Sequence, residues 1–466
     1  MSVTDEVVAP PEWIAVETAR RAFATRRTRS LAWRQQQLES LLRMFAENTR
    51  RIEKALSDDL GKSRVEGYLT EVSAVVGEVK LTLKHLKRWT SPRTVHAPIA
   101  LGTARAQVVR EPLGTVLIIG PWNYPFHLLF VPLVGALAAG NAVVLKPSEV
   151  APASPTLIAE LVAAYLDPEA VQVVQGGVTE TTRLLECAFD HIFYTGNGTV
   201  GSVVMAAAAK HLTPVTLELG GKSPVWVDDS ADIGQVARTL AWGKFINCGQ
   251  TCVAPDFVLT TPTAAPRLAA ALKTAISDYY GADPRTSPDY GRIVNERHAT
   301  RLAGLLSSGT AVTGGIADVD ARYVAPTVLV DVDLDAPVMR DEIFGPILPI
   351  VTVPDVGAAI DAINARPKPL ALYAFTGKAS DRRRLLAETS SGGVAFGSVM
   401  VQLGVPALPF GGVGASGMGA YHGELSVRTF SHERAVLRKF RGPDLTRLSR
   451  PPFTARTTRL LLGSDR

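Results

Sequence analysis

The stretch 115–147, TVLIIGPWNYPFHLLFVPLVGALAAGNAVVLKP, decides the fold. From 112 to 145 the chain contains no Asp, Glu, Lys or Arg, and an apolar run of this length is also typical of a membrane span. Pro121, Pro125 and Pro132 interrupt the run, together with glycines at 120, 135 and 140. They divide it into strand, turn, helix, turn and strand. Buried parallel strands and their covering helices give this kind of uncharged sequence, so we predict a buried α/β unit.

The same alternation continues on the C-terminal side of this stretch. Strands are predicted at 115–120, 141–147, 170–177, 191–196 and 215–221, with helices at 127–140, 154–166, 179–187 and 200–212. A second α/β series follows from 222 to 376. On the N-terminal side, 11–56 and 70–90 have helical spacing, and 91–114 has the short runs of an extended hairpin. The fold class predicted is therefore α/β, with a Rossmann-like parallel sheet whose ligands bind beyond the carboxyl ends of the strands.

Composition limits the class of protein. The 466 residues suggest two or three domains, and 46% hydrophobic with 20% charged residues is ordinary for a globular chain. The net charge of +5 is mild, and no aromatic residues alternate with the late basic residues, so we expect no nucleic-acid partner. Three cysteines in so long a chain do not predict a disulfide framework, and an acidic start without an apolar core does not predict a signal peptide. A reducing cytoplasm fits these features best. The late basic residues, which we expect to form a solvated end segment, are Arg434, Arg438, Lys439, Arg441, Arg447, Arg450, Arg456 and Arg459.

A glycine pattern, GNGTVG at 196–201, follows a predicted strand and precedes a predicted helix. In that context the glycines allow a tight turn, and the helix N-terminus can face a phosphate. Glu218 lies near the offset at which an acid binds ribose in such units. Lys146 and Glu149, after another strand, offer a second way to bind ribose. The alternative for that segment is a helix start capped by Ser148.

The segment 245–256, FINCGQTCVAPD, contains Cys248 and Cys252. A zinc site is poorly supported, because no histidine lies between His211 and His298, and the two cysteines lack the C-x-x-C spacing of redox pairs. We therefore predict no metal. Either Cys252 is a nucleophile presented by a loop, or it is a buried cysteine that serves packing. Asn123, directly after a strand, is either an oxyanion donor or a turn residue.

Seven segments together resemble the aldehyde dehydrogenase superfamily, specifically its class 3 branch. They occur in the family's order and extend the resemblance from the first helix to about Phe453: GPWNYPF, VLKPSE, YTGNGTVG, PVTLELGGKSP, GKFINCGQTCVAPD, DEIFGPILPI and LPFGGVGASGMGAYHG. The resemblance implies NAD(P)-dependent oxidation of an aldehyde to a carboxylic acid. Cys252 would form a thiohemiacetal and then a thioester, Asn123 and the Cys252 backbone N–H would hold the oxyanion, and Glu218 would be the general base that activates water.

The resemblance also implies the cofactor contacts. Lys146 and Glu149 correspond to residues that bind the adenosine ribose, and the turn of Gly196, Asn197, Val200 and Gly201 corresponds to the pyrophosphate region. Glu342 and Phe344 correspond to residues that hold the nicotinamide ribose and ring. A carboxylate at 149 disfavours a 2′-phosphate, so we expect NAD, with NADP possible. Tyr124, Trp242 and Ile246 suggest an apolar tunnel for medium-chain aliphatic or aromatic aldehydes.

The resulting domain division is a cofactor-binding domain at 1–90 and 108–217 and a catalytic domain at 218–400. Residues 91–107 with 424–445 are predicted oligomerisation elements of a homodimer, and 446–466 form a C-terminal tail, too short for a membrane anchor. Two alternatives stay open: a CoA-acylating relative, against which Glu218 argues, and a non-catalytic NAD-binding protein.

Three positions need separate mention. Gly397 and Gln402 stand where relatives usually have Asn and His, and the glycine removes side-chain hydrogen bonds near the site. Cys248 is expected to serve packing, with a reversible disulfide to Cys252 under oxidation as the sharper hypothesis.

Overall fold

The computed structural model describes residues 9–98, 101, 103–441, 446 and 449–463. The expectations for the first eight residues and for Arg447 lie outside these ranges. The N-terminal region is helical, as predicted. Ser30 caps the long second helix by accepting a hydrogen bond from Trp33 N at 3.1 Å. A π-helical turn, Tyr68–Val72, separates the third helix from the fourth, and these four helices are α1 Pro11–Ala24, α2 Leu31–Leu60, α3 Arg64–Gly67 and α4 Ser73–Thr90.

The alternating strands and helices predicted for the first α/β unit are confirmed. The elements are β1 Arg93–Val95, β2 Ala104–Pro112, β3 Thr115–Ile119, α5 His127–Ala139, β4 Ala142–Lys146, α6 Ala153–Tyr165, β5 Val171–Val173, α7 Val178–Glu186, β6 His191–Thr195, α8 Gly198–Ala209 and β7 Val215–Glu218.

The second α/β series is also confirmed. Its elements, and those that end the chain, are β8 Pro224–Val227, α9 Ile233–Phe245, β9 Phe257–Thr260, α10 Ala264–Tyr280, α11 Glu296–Ala303, β10 Thr310–Thr313, β11 Ala317–Asp318, β12 Tyr323–Val324, β13 Thr327–Val330, β14 Ile347–Thr352, α12 Val356–Asn364, β15 Ala371–Phe375, α13 Ala379–Glu388, β16 Gly393–Phe396, β17 Gly417–Met418, α14 Glu424–Thr429, β18 Ser431–Lys439 and α15 Ala455–Leu462.

The first sheet has the order β17-β7-β6-β3-β4-β5, and its pairs are parallel except that of β17 with β7. All residues of β3, β4 and β6 are buried, and α5 is buried except at His127. This burial explains the uncharged run in the sequence. In the part of the chain that the structure describes, no helix combines the length and the apolar character needed to cross a membrane.

The second sheet has the order β10-β13-β14-β9-β8-β15-β16, and all its pairs are parallel except β10 with β13. Its strands pack into one large hydrophobic core, whereas the first sheet and the N-terminal helices share two others. The fold class is therefore the predicted one, a Rossmann-like sheet domain with a second α/β domain.

A third, small sheet has the order β1-β2-β18. The predicted hairpin is present, because β1 pairs antiparallel with β2, and β18 then pairs with β2 from Ser431 opposite Pro112 to Lys439 opposite Ala104. Strand β2 runs through the predicted boundary at 107/108 without a break. The range 424–445 begins with α14, whose Ser426 and Val427 are buried, and Ser426 lies against Gly135 of α5. In the tail, α15 is a helix that the sequence did not predict.

Candidate active site

The carboxyl ends of the first sheet's strands meet at one edge. The chain builds β3, β4 and β5 in one direction and then places β6 and β7 on the other side of β3, so the topology switches between β3 and β6. Open α/β sheets bind ligands in the crevice at this point. Asn123 follows β3, the turn 196–201 follows β6, Lys146 ends β4 and Glu218 ends β7. The fold thus brings the predicted groups of the first domain to the same edge.

Asn123 is buried in the turn between β3 and α5. Its Nδ2 donates to the carbonyl oxygen of Gln250 at 2.9 Å. Its own carbonyl oxygen accepts from Lys62 Nζ and from Asn247 Nδ2, each at 2.9 Å. A carboxamide nitrogen carries two hydrogens, so Nδ2 has a second donor for an oxyanion beside residue 250. The turn residue and the oxyanion donor are thus compatible roles for the same side chain.

The predicted nucleophile segment leaves α9 through a short 3₁₀ turn with unusual backbone angles. Asn247, Cys248 and Gly249 have φ values of 50°, 51° and 72°, which is the left-handed region. The Gln250 side chain stabilises this conformation by donating to the carbonyls of Asn247 at 3.0 Å and Arg292 at 3.1 Å. Cys252 follows in irregular structure, as the loop reading of this segment predicted.

The Cys252 thiol lies in a site that disfavours its charged form. Burial, followed by the charges of Glu342 and Glu218, raises the pKa of Cys252 to about 12, although the backbone N–H groups of Cys252 and Val253 oppose the shift by hydrogen bonding. The protein's own groups therefore hold a thiol at neutral pH. A cationic ring bound beside the sulfur would stabilise the thiolate and so lower the pKa of Cys252.

Glu218 is buried, and neither of its carboxyl oxygens has a hydrogen-bond partner among the described residues. Burial raises its pKa well above the ordinary value. An unpaired buried carboxyl group is costly, and it is typical of a group kept for proton transfer. Glu342 is half-buried, and burial with the charge of Asp256 raises its pKa to about 8. Gly220 lies so close to Glu342 that a Cβ there would overlap the carboxylate.

The predicted adenosine contacts fit a dinucleotide. Lys146 Nζ is buried, donates to the Pro147 carbonyl at 2.8 Å and lies 3.3 Å from Glu149 Oε2. The Glu149 side chain is 47% exposed, so its carboxylate is open to hydroxyl groups of a bound ligand. The alternative of a helix start capped by Ser148 is wrong, because α6 begins at Ala153 after Pro152, and Ser148 Oγ accepts from Val150 N at 3.3 Å instead.

The predicted pyrophosphate turn begins α8. Asn197 caps the helix by accepting from Val200 N at 3.0 Å, while residues 197–200 are exposed and Gly201 is buried. The first turn of the helix therefore presents its backbone to solvent, as an anion-binding helix start requires. On the nicotinamide side, Phe344 has a φ of 46°, and its ring contacts Trp122 at 5.4 Å between centroids.

The three residues of the predicted tunnel have different environments. Tyr124 is buried, with its hydroxyl 2.6 Å from Oγ1 of Thr251, the residue before Cys252. Trp242 and Ile246 lie at the end of α9, where the N–H of Ile246 bonds to the carbonyl of Trp242. Trp242 is 41% exposed and Ile246 is half-buried. The structure thus places Tyr124 beside Cys252 and the other two residues just before the nucleophile turn.

Of the two positions that depart from the family pattern, Gln402 is connected to the loop of Cys252. Gln402 Nε2 is 3.4 Å from the hydroxyl of Tyr373, which donates to the carbonyl of Val253 at 2.7 Å. Gly397 has a φ of 74°, and a Cβ there would meet no atom within 4 Å. Both Gly and Asn adopt this backbone conformation readily, so the glycine leaves the turn allowed while removing a carboxamide.

Cys248 belongs to the hydrophobic core of the second domain, which confirms its predicted packing role. Burial raises its pKa far above the ordinary value, and its thiol is hydrogen-bonded to Tyr290. A protonated, buried thiol is a poor partner for oxidation, so the disulfide hypothesis stays a prediction with less support than packing. Within the described ranges, no group of three or more His, Cys, Asp and Glu side chains is arranged to hold a metal ion.

Sequence reasoning missed the groups that support the site. Lys222 forms a buried ion pair with Asp256 and donates to the carbonyls of Val338 at 2.8 Å and Asp341 at 2.9 Å. Asp256 also accepts from Ile343 N at 2.9 Å, so this pair holds the segment that carries Glu342. Lys222 lies in ELGGKSP and Asp256 in GQTCVAPD, so charged residues inside the quoted motifs were the available signal.

Comparison with known proteins agrees with the geometry. The model described as Aldehyde dehydrogenase family matches residues 13–436. The chain is 52% identical over 424 residues to the Rattus norvegicus protein named Aldehyde dehydrogenase, dimeric NADP-preferring, covering 91% of this chain and 94% of that protein. It is 50% identical over 444 residues to Aldehyde dehydrogenase family 3 member B1 of Homo sapiens, covering 95% of each. The solved structure described as the substrate bound state of Staphylococcus Aureus AldH superposes with a TM-score of 0.94 at 41% identity, covering 97% of this chain and 99% of that one.

The fold, the site and the length of these matches define an NAD(P)-dependent oxidoreductase that acts on aldehydes. The predicted resemblance to class 3 is confirmed by relatives about 50% identical that are named as family 3 members. The chain belongs to the aldehyde dehydrogenase family.

Proposed function

We propose that Cys252 is the nucleophile of this aldehyde oxidation and that Glu218 is the base that releases the acid. The observation that carries the proposal is the hydrogen bond from Asn123 Nδ2 to the Gln250 carbonyl at 2.9 Å. It fixes a carboxamide donor two residues before Cys252, where the oxygen of a carbonyl attacked by the sulfur would gain negative charge.

The residues then divide the reaction into two stages. Cys252 attacks the aldehyde carbon, and the Asn123 carboxamide with the Cys252 backbone N–H stabilises the oxyanion of the thiohemiacetal. A bound nicotinamide supplies the hydride acceptor for its oxidation to a thioester. Glu218, whose raised pKa makes its carboxylate a stronger base, takes a proton from the water that attacks the thioester. An unpaired carboxyl group in this place supports hydrolysis rather than acyl transfer to CoA.

Cys252→Ala tests the nucleophile. Turnover should fall by at least about 10³-fold while NAD(P) still quenches protein fluorescence, because the sulfur is not part of the cofactor contacts. Cys187→Ala is the matched control, since Cys187 is a free cysteine at the end of α7. Cofactor reduction by Cys252→Ala at the rate of the control would refute the covalent mechanism.

The substrate class follows from the apolar rim beside the nucleophile. Val399 and Met400 lie against Gly243 of α9, next to Trp242. In the segment that follows, Val401 is 53% exposed and Val405 is 45% exposed. Exposed apolar side chains in the segment that packs against the end of α9 favour hydrophobic aldehydes, which supports medium-chain aliphatic or aromatic substrates.

For the cofactor, we propose that the site accepts both NAD and NADP. The Glu149 carboxylate repels a 2′-phosphate, whereas its exposure allows it to turn away and leave Lys146 as the partner of that phosphate. The rat relative's printed name, NADP-preferring, supports use of the phosphorylated form.

We also propose a homodimer formed through β18, the edge strand of the three-stranded sheet. An edge strand with unpaired backbone groups is a template for another chain, and the rat relative is named dimeric. All three cysteines are free, which supports a reducing compartment such as the cytoplasm.

A further inference from the structure

A fully buried ion pair lies beneath the turn that carries Asn123. Lys62 Nζ is 2.6 Å from Glu71 Oε1, and the side chains of both residues are 0% exposed. Burial of two charges removes more hydration than their attraction returns unless other hydrogen bonds complete them, so such a pair is poor evidence for stability alone. The other hydrogen bonds of Lys62 and Glu71 show which part of the site the pair holds in place.

Both ends of the pair bind the backbone of one turn. Lys62 Nζ donates to the carbonyl of Asn123 at 2.9 Å, and Glu71 Oε2 accepts from Phe126 N at 3.0 Å and His127 N at 2.9 Å. The ammonium group also lies 4.0 Å from the centre of the Tyr124 ring. The start and the end of the turn are thus held by the two partners of a single ion pair.

The Asn123 carbonyl that Lys62 binds also connects the Asn123 turn to the loop before Cys252. Asn247 Nδ2 donates to the same Asn123 oxygen at 2.9 Å and to the Gln250 carbonyl at 3.1 Å. Because Asn123 Nδ2 donates to that Gln250 carbonyl as well, the carboxamide and the loop before Cys252 share one network. A shift of the Asn123 backbone would move the oxyanion donor relative to the sulfur.

The local backbone directs Glu71 into this place. Glu71 lies in the π-helical turn Tyr68–Val72, and the carbonyl of Thr70 in the same turn is 2.9 Å from His127 Nδ1. A π-helical turn is rare and changes the direction of a side chain relative to the helix on either side, and such turns occur often at functional sites. Here the turn sends Glu71 towards the first residues of α5.

We propose that Lys62 and Glu71 are positioning residues for the oxyanion donor. Both side chains are fully buried, so they act on catalysis through Asn123. The inference rests on the proposed role of Asn123, and the experiment below separates failure of the one from failure of the other.

The test is a double-mutant cycle of Lys62→Met and Asn123→Ala, read as kcat, KM and cofactor Kd. Met matches the length of the lysine stem and removes its charge and donors. We expect Lys62→Met to lower kcat about 10- to 100-fold, because misplacement of an oxyanion donor by about 1 Å has an effect of that size, while KM and cofactor Kd change less than about threefold. In the Asn123→Ala background the same change should lower kcat less than about threefold.

The outcomes distinguish the oxyanion role of Asn123 from the positioning role of Lys62 and Glu71. If Asn123→Ala alone keeps the wild-type kcat, the proposed oxyanion role is wrong. If Asn123→Ala is impaired and Lys62→Met lowers kcat by the same factor in both backgrounds, the positioning role is wrong. A general loss of folding would instead lower the active fraction, which burst titration measures, and would leave kcat per active site unchanged.

If Lys62→Met does not fold, Glu71→Gln takes its place in the same cycle. This change is milder, because the amide oxygen of Gln can still accept from the backbone at the start of α5. Asp59→Asn is the matched control. Asp59 is a buried carboxylate that accepts from Ala153 N at 2.9 Å and Ser154 N at 2.8 Å at the start of α6, away from the Asn123 turn. We expect a lower kcat for Glu71→Gln and an unchanged kcat for Asp59→Asn. Equal kcat values for these two variants would overturn the proposal.

Discussion

Glu218→Gln is the most informative single change, because the structure predicts opposite effects on activity and on stability. The carboxyl group is buried without a hydrogen-bond partner, and burial raises its pKa well above the ordinary value. Gln keeps the shape of the side chain and cannot take a proton from water. We therefore expect steady-state turnover to fall about 10²- to 10⁴-fold, the usual contribution of a general base.

The first stage of the reaction should survive the substitution. Formation of the thioester needs Cys252 and its oxyanion donors, and Glu218 acts only when water attacks. Stopped-flow measurement should show a burst of reduced cofactor close to one per active site, followed by a slow steady state. Steady-state turnover within about threefold of wild type would refute the general-base role.

The stability effect depends on pH, and its sign follows from the pKa. Because the folded-state pKa is raised, the folded protein keeps the Glu218 proton at pH values where the unfolded chain has lost it. Wild-type stability is then lost by about 1.4 kcal/mol per pH unit as pH rises above about 4.3, the ordinary glutamate value, until the folded pKa is reached. As pH rises through this range, Glu218→Gln should therefore gain stability relative to wild type, which the difference in Tm between the two proteins measures.

A matched control separates the electrostatic effect from catalysis. Glu78 is buried, its pKa is also raised by burial, and its carboxylate accepts from Gly423 N at 2.8 Å. Glu78→Gln should show a pH-dependent stability gain of the same sign and should keep normal turnover. A difference between wild type and Glu218→Gln that does not change with pH would show that the folded-state pKa of Glu218 is not raised.

Three further predictions concern cofactor, substrate and assembly. Glu149→Gln should raise the kcat/KM ratio of NADP to NAD by about tenfold, because one charge repulsion is removed; an unchanged ratio would mean that Glu149 does not face the 2′ position. Along a series of straight-chain aldehydes, kcat/KM should rise up to about fourfold per methylene, as burial at about 0.8 kcal/mol per CH₂ allows, and Val401→Ser should reduce that slope; a flat series would exclude the apolar rim as a binding surface. Leu437→Pro in the exposed strand β18 should shift the protein from dimer to monomer in light scattering at micromolar concentration, because the Leu437 N–H points away from β2 and proline removes this outward donor; a wild-type protein that is already monomeric contradicts the dimer proposal.

The course of the chain was largely predictable from local sequence. Strands β3, β4 and β6 are continuous apolar runs bounded by Gly and Pro, so their type and order follow from composition. The elements missed or misplaced depend on tertiary contacts instead. Strand β17 has two residues and exists because Gly417 and Met418 pair with β7 across the sheet edge, a long-range contact that has no local pattern.

The site was predictable in part, for a similar reason. Asn123, Glu218 and Cys252 stand at strand ends or in Gly-rich loops, where polar residues in an apolar context attract notice. The left-handed angles of Asn247 and Cys248 were not predictable, because nothing nearby in sequence requires them. They are fixed from outside: Glu66 Oε1 accepts from Asn247 N at 3.0 Å, and the Gln250 side chain closes the turn.

The N-terminal helices therefore do more than cover the sheet. Lys62 and Glu71 hold the turn of the oxyanion donor, and Glu66, four residues after Lys62, holds the turn of the nucleophile. The Glu66 carboxylate accepts the Asn247 N–H although burial disfavours its charged form and raises its pKa to about 7. One segment of ten residues, 62–71, thus holds both the Asn123 turn and the turn before Cys252, which lie far apart in sequence. Because these hydrogen bonds join side chains of the segment to backbone atoms of the two loops, the segment can set the geometry of the site without any residue that a catalytic motif would reveal.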